Sequence, residues 1–188
     1  MKNGNLMAFV IAMLILVMAV KPAYAQWSAQ VTGPDVFGNT TVLASVDDAA
    51  GQSLVVQCDQ NDTLDLAYLI PGTPSEMDDA SKAGVGIPAD LLVKVDDAQV
   101  MKFSAQLRAW NNTYLAVVAS GRTTAIVAAI KAIGRASSQI SVGAEILGNQ
   151  QTDTFDASNS TSSMNTATTE CKLSSITAGP SSAVSSSQ

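Results

Sequence analysis

The stretch SLVVQCDQNDTLDLAYLI, residues 53–70, supports two readings that lead to different proteins. Asp59, Asn61, Thr63 and Asp65 place oxygen-bearing side chains at every second position, which is how a calcium loop begins. The flanks say otherwise. Leu54, Val56 and Cys58 alternate with Ser53 and Gln57, with Val55 the exception, and Leu64, Leu66, Tyr68 and Ile70 share a face opposite Asp65. Period-two alternation on both sides of a short polar stretch describes a β-hairpin. A full EF-hand loop needs glycine at its sixth position and glutamate at its twelfth. Counted from Asp59 these are Leu64 and Ile70, both required by the inward face of the following strand. Asn and Asp crowd the segment because their side chains bond to nearby backbone in turns. The stretch therefore reads as a hairpin, with Cys58 pointing inward at the end of its first strand.

The same period continues outward. Thr40 to Val46 forms an earlier strand, after turn signals at Gly33-Pro34 and Phe37-Gly38-Asn39. Pro71 to Pro74 ends the hairpin, and the polar, glycine-bearing segment from Ser75 to Pro88 reads as a surface loop. Leu91, Val93 and Val95 alternate with Leu92, Lys94 and Asp96, and Asp97-Ala98 makes a turn. Met101, Phe103, Ala105, Leu107 and Ala109 follow as a half-buried strand. Asn111-Asn112 turns the chain into Thr113 to Ala119, apolar on both faces and so placed centrally. Beyond Gly121 the spacing becomes helical at Ile126, Val127, Ile130 and Ile133, with Thr123 or Thr124 as cap and Gly134 near the end. Ile140, Val142, Ala144 and Ile146 return to strand spacing, Gly148-Asn149 turns, and Phe155 is a core anchor. A short helix then places Met164, Ala167 and Cys171 on one face. The expected fold is mainly β: an antiparallel β-sandwich, or a β-rich α+β domain with two short helices in the C-terminal half.

The first residues read as an export signal. Lys2 precedes an apolar run from Leu6 to Val20, Lys21-Pro22 ends it, and Ala23-Tyr24-Ala25 offers a small-x-small cleavage site. The run is shorter than the roughly 20 residues a spanning helix needs, so no stable membrane insertion is expected after cleavage. The domain then runs over residues 26–173, with a disordered Ser-rich tail over 174–188. The chain carries 10 basic and 16 acidic residues, and cleavage would remove Lys2 and Lys21 as well. Such a surface repels phosphate backbones and argues against nucleic acid as a partner.

In an exported chain, two cysteines most simply form one disulfide, Cys58–Cys171, the alternative being two buried thiols. The absence of histidine excludes Ser-His and Cys-His nucleophile systems and histidine-bound zinc. No Gly-x-Ser-x-Gly or Ser-x-x-Lys motif and no phosphate or dinucleotide glycine pattern occurs. No catalytic residue, cofactor or metal ligand is therefore assigned. The acidic pairs Asp47-Asp48, Asp78-Asp79 and Asp96-Asp97 read as solvated turn residues; a weak surface calcium site built from several of them is the alternative. Trp27 and Trp110 each read as covering an edge of the core or as an interface anchor.

Several features together resemble small Gram-negative periplasmic proteins of the invasion-associated locus B kind and type VI secretion-associated accessory proteins. They are Trp27, the Leu-Val-Val-Gln-Cys strand ending at Cys58, Val93 to Asp97, Trp110, and Phe155 followed by a helix ending at Cys171. The resemblance implies a one-disulfide, β-rich periplasmic domain with an accessory role at the envelope and no catalytic residues to carry over. The functional expectation is an exported, non-enzymatic protein, periplasmic or secreted, that contacts an envelope protein. A carboxylate-based hydrolase and a structural component of an envelope complex are the alternatives.

Overall fold

The structure is a computed structural model that describes residues 25–59, 63–82 and 86–175. The export signal, the turn residues 60–62 and the tail 176–188 lie outside the described residues. One antiparallel sheet holds nine strands: β1 (Ser28–Thr32), β2 (Thr41–Asp47), β3 (Ser53–Asp59), β4 (Leu64–Pro71), β5 (Ile87–Val95), β6 (Met101–Ala109), β7 (Tyr114–Ser120), β8 (Gln139–Ile146) and β9 (Asn149–Asp156). Their order is β1-β2-β3-β4-β7-β6-β5-β8-β9. Among the described residues three helices accompany it: α1 (Pro74–Lys82), α2 (Thr124–Ile133) and α3 (Ser160–Glu170), with a 3-10 turn at Leu173–Ser175. Of the two expected architectures, the β-rich α+β fold is the one formed, because a single curled sheet takes the place of two stacked ones. Among the described residues, no helix is long and apolar enough to cross a membrane.

The hairpin at residues 53–70 forms with Cys58 opposite Leu64 and Leu54 opposite Tyr68. Asp59 closes it: its N–H reaches the Thr63 carbonyl, and its carboxylate accepts from the Thr63 N–H at 3.2 Å. Leu64 is buried strand rather than the flexible sixth position of a calcium loop. β7, apolar on both faces, lies at the centre of the order, between β4 and β6.

One face of the sheet carries the main core. Even positions of β2, β3, β4 and β8 and odd positions of β5, β6 and β7 point into it, and α2 and α3 lie over it. Thr123 caps α2 by accepting from the Ile126 N–H at 3.2 Å, and Gly134 ends it. The sheet curls so far that its two edges approach each other. Tyr68 of β4 meets Phe155 of β9 edge to face, at 6.4 Å between centroids. The Tyr68 hydroxyl donates to the Asp153 carboxylate and accepts from Gln151 Nε2 at 2.9 Å. Burial, then this carboxylate, push the Tyr68 pKa far up. Beside the gap, the Trp27 N–H bonds to the Ser158 carbonyl at 3.0 Å, and Asn159 Nδ2 donates to the Trp27 carbonyl at 2.6 Å. These bonds tie the start of β1 to the entry of α3. The opposite face holds a smaller apolar strip of Val55, Ala67, Leu69, Ala116 and Val118. Val55, the exception to the alternation in its strand, belongs there.

Three expectations are corrected. The segment from Ser75 to Pro88 is not all loop. Thr73 Oγ1 and the Glu76 carboxylate form a reciprocal capping box, Pro74 occupies the first turn, and α1 results. Among the described residues the helices therefore number three, one more than expected. The last hairpin turns at Leu147-Gly148, one residue earlier than Gly148-Asn149, because both residues take positive φ, as a two-residue type I′ loop requires.

Candidate functional site

The sequence-predicted residues fall into distinct places. Cys58 and Cys171 are joined, with Cα atoms 6.0 Å apart and a sequence separation of 113. Cys58 ends the inner face of β3 and Cys171 is the C-cap of α3, both on the inward faces expected for them. Arg122 braces the same corner, donating to the Cys171 carbonyl at 2.7 Å and the Asp59 carbonyl at 3.1 Å. Trp27 is 1% exposed and lies in the main core, so it covers an edge of the core. Its reading as an interface anchor is corrected: an anchor must reach a partner, and this indole is enclosed.

Trp110 lies half-buried on the opposite face, against the smaller apolar strip. The Arg108 guanidinium stands 5.8 Å from its ring centre and also pairs with Asp65 at 3.0 Å. Together with Gln57 and Ala109 these residues line an open hollow of about 280 Å³. Trp110 thus lids the strip while keeping one polar, solvent-facing side.

The acidic pairs stand in separate turns and helices. Asp47 accepts from the Ser53 hydroxyl at 2.6 Å, and Asp48 accepts from the backbone of Ala50 and Gln52. Asp78 pairs with Lys82 along α1. Asp96 accepts five hydrogen bonds from Ser137, Ser138 and Gln139. Those donors, the Ser137 and Gln139 N–H groups foremost, hold its carboxyl far below the usual carboxylate range. Asp47, Asp48, Asp78 and Asp96 are engaged by separate protein groups, and the pairs do not converge on one cleft. Among the described residues, no group of three or more His, Cys, Asp or Glu side chains is placed to hold a metal ion.

Two features that sequence reasoning missed stand out at the surface. The first is the loop between β1 and β2. Val36 is 93% exposed and Phe37 84%. The loop beneath them is tightly bonded. Asp35 Oδ1 accepts from the N–H groups of Phe37 and Asn39, both at 2.8 Å, and Asp35 Oδ2 accepts from Asn39 Nδ2 at 3.2 Å. The Asp35 N–H reaches the Asn39 carbonyl, and the Gly38 N–H reaches the Asp35 carbonyl. These bonds, led by the Asn39 N–H, lower the Asp35 pKa. Gly33 is obligatory at the base: at φ +129°, a Cβ would lie 2.6 Å from the Asn39 carbonyl oxygen. Two apolar residues inside a run of turn formers were the available signal.

The second feature is a shallow groove of about 250 Å³ on the outer face of β5, β8 and β9. Gly143, in mid-β8, forms its floor. Leu92, Val100 and Thr152 flank it, and Lys94 and Glu145 stand toward opposite ends. A single glycine inside the Ile140–Ala144 alternation was the signal here.

No family model, no curated protein and no solved structure matches this chain. The resemblance to envelope proteins rests on the residues quoted for it.

Proposed function

We propose that the chain is an exported binding protein of the cell envelope, periplasmic or secreted, which acts by protein–protein contact rather than catalysis. The observation that carries this reading is the Val36–Phe37 pair. Leaving two such side chains in water forgoes roughly 1.5–3 kcal/mol each. Here the loop backbone that carries them is also tied down by the Asp35 bonds. An apolar loop whose backbone is already ordered has part of its ordering cost met before any partner arrives, which is how preorganised anchors gain affinity. The disulfide supports an oxidising compartment. An accessory role in an envelope assembly, a secretion apparatus included, fits both features.

The test is a photo-crosslinking amino acid placed at Phe37, with the same probe at Lys82 on α1 as control. Irradiation of intact cells is expected to give a discrete adduct from position 37 and none from position 82. Equal, diffuse labelling from both positions removes the loop as an anchor.

A further inference from the structure

Among the described residues, nothing covers the Val36–Phe37 knob or fills the groove. We infer that the Val36–Phe37 loop of one copy seats in the groove over Gly143 of a second copy, so that the protein associates with itself. This inference rests on the reading of the loop as an anchor, and it names the partner.

Gly143 supplies the first argument. A glycine inside a strand weakens it and often marks a place where something else approaches closely. Nothing among the described residues demands it. No positive φ is found there, and a Cβ would meet Thr152 Cγ2 at 3.5 Å and the Leu92 Cβ at 3.6 Å, which is ordinary contact. The missing side chain serves only the open groove above it. That groove is bordered by Leu92 and by Val100, itself 54% exposed, and it has room for an aromatic ring.

Charge supplies the second argument. Asp35 sits beside the knob, ionised and with no cation within ion-pair distance among the described residues. Lys94 stands at one end of the groove and likewise makes no ion pair among the described residues. Lys94 beside an apolar groove complements in charge an apolar loop that carries one carboxylate. Glu145 marks the other end and would repel Asp35, so the two charges set the direction in which the loop lies. Knob and groove are different surfaces. A reciprocal pair of contacts closes a dimer, whereas a single head-to-tail contact builds larger species.

The experiment is sedimentation velocity of the purified, disulfide-bonded protein from low micromolar to millimolar concentration. Mass is expected to rise with concentration. Phe37→Asp and Gly143→Val are each expected to return the protein to monomer, with Gly143→Val melting no lower than the parent. Lys94→Glu should weaken association at least tenfold, and added salt should weaken the parent. An equimolar mixture of Phe37→Asp and Gly143→Val, each keeping one intact surface, should form a one-to-one pair. A parent that stays monomeric throughout overturns the inference, as does association that survives either substitution. The crosslink from position 37 separates the two claims. An adduct with a different protein, alongside a monomeric parent, defeats self-association and leaves the anchor standing; no adduct defeats both.

Discussion

At the residue scale, the turns show how much of this fold depends on single side chains. Asp96 takes positive φ at the β5–β6 turn, and its carboxylate collects the start of β8 through five hydrogen bonds. An Asn in its place tolerates the backbone angle but offers one acceptor oxygen instead of two. Asp96→Asn is therefore expected to lower the melting temperature at neutral pH. The sign of its pH dependence follows from the depressed pKa. The carboxylate stabilises the fold above its unfolded value of about 4, and that contribution fades as pH falls below it. Parent and variant should converge between neutrality and strong acid, and melting curves over that range check this. Leu147 is the opposite case. It holds φ +51° at a hairpin turn, is 76% exposed, and gains nothing from burial. A left-handed non-glycine residue costs roughly 1–2 kcal/mol, less for Asn. Leu147→Asn creates the Asn-Gly pair that type I′ turns favour, and it is expected to raise the melting point by about 2–4 °C.

At the scale of elements, legibility followed burial. β6 and β7 could be read because one face or both faces of each are apolar, and α2 because its buried residues recur at helical spacing. β1 and β9 were not read. They are the two edges of the sheet and pair on one side only; β1 exposes four of its five residues and β9 buries only Phe155, so the hydrophobic signal that marks inner strands is absent. α1 escaped for a related reason: among its described side chains Met77 is the one buried apolar residue, and capping rather than a stripe specifies it. The candidate surface was less legible still. Sequence shows an apolar pair or a lone glycine but not whether the fold covers them. The Tyr68 contact was invisible because it joins β4 to β9 across the curl. Tyr68→Phe keeps the ring against Phe155 but deprives Asp153 and Gln151 of their partner, at an expected cost of about 1–3 kcal/mol. Because the Tyr68 pKa is raised in the fold, the hydroxyl favours folding below its unfolded value of about 10 and loses that contribution above it. The stability gap between parent and variant should shrink above that pH, as denaturant titrations can measure.

At the scale of the molecule, the question is what keeps an open, curled sheet closed. Three attachments converge on α3: the disulfide to β3, the Arg122 bonds to the carbonyls of Asp59 and Cys171, and the Trp27 bonds at the helix entry. Only the first constrains the unfolded chain. A crosslink spanning 113 residues removes loop entropy worth about 5 kcal/mol in the chain-entropy model. That is a large share of the roughly 5–15 kcal/mol that holds a typical domain together. Replacing both cysteines with alanine should therefore lower the urea midpoint sharply. A loss below about 2 kcal/mol would show that Arg122 and Trp27 secure the helix unaided, with the bond adding little. Accessibility gives a separate check. Both cysteines are buried, so a thiol reductant must wait for the corner to open. Reductant alone should leave the bond intact for as long as the protein stays folded. Reductant with enough urea to populate the unfolded state should cleave it, at a rate that tracks unfolding rather than reductant concentration. Rapid cleavage without urea would mean that the corner opens locally, and that α3 is not the fixed lid over the core that these contacts describe.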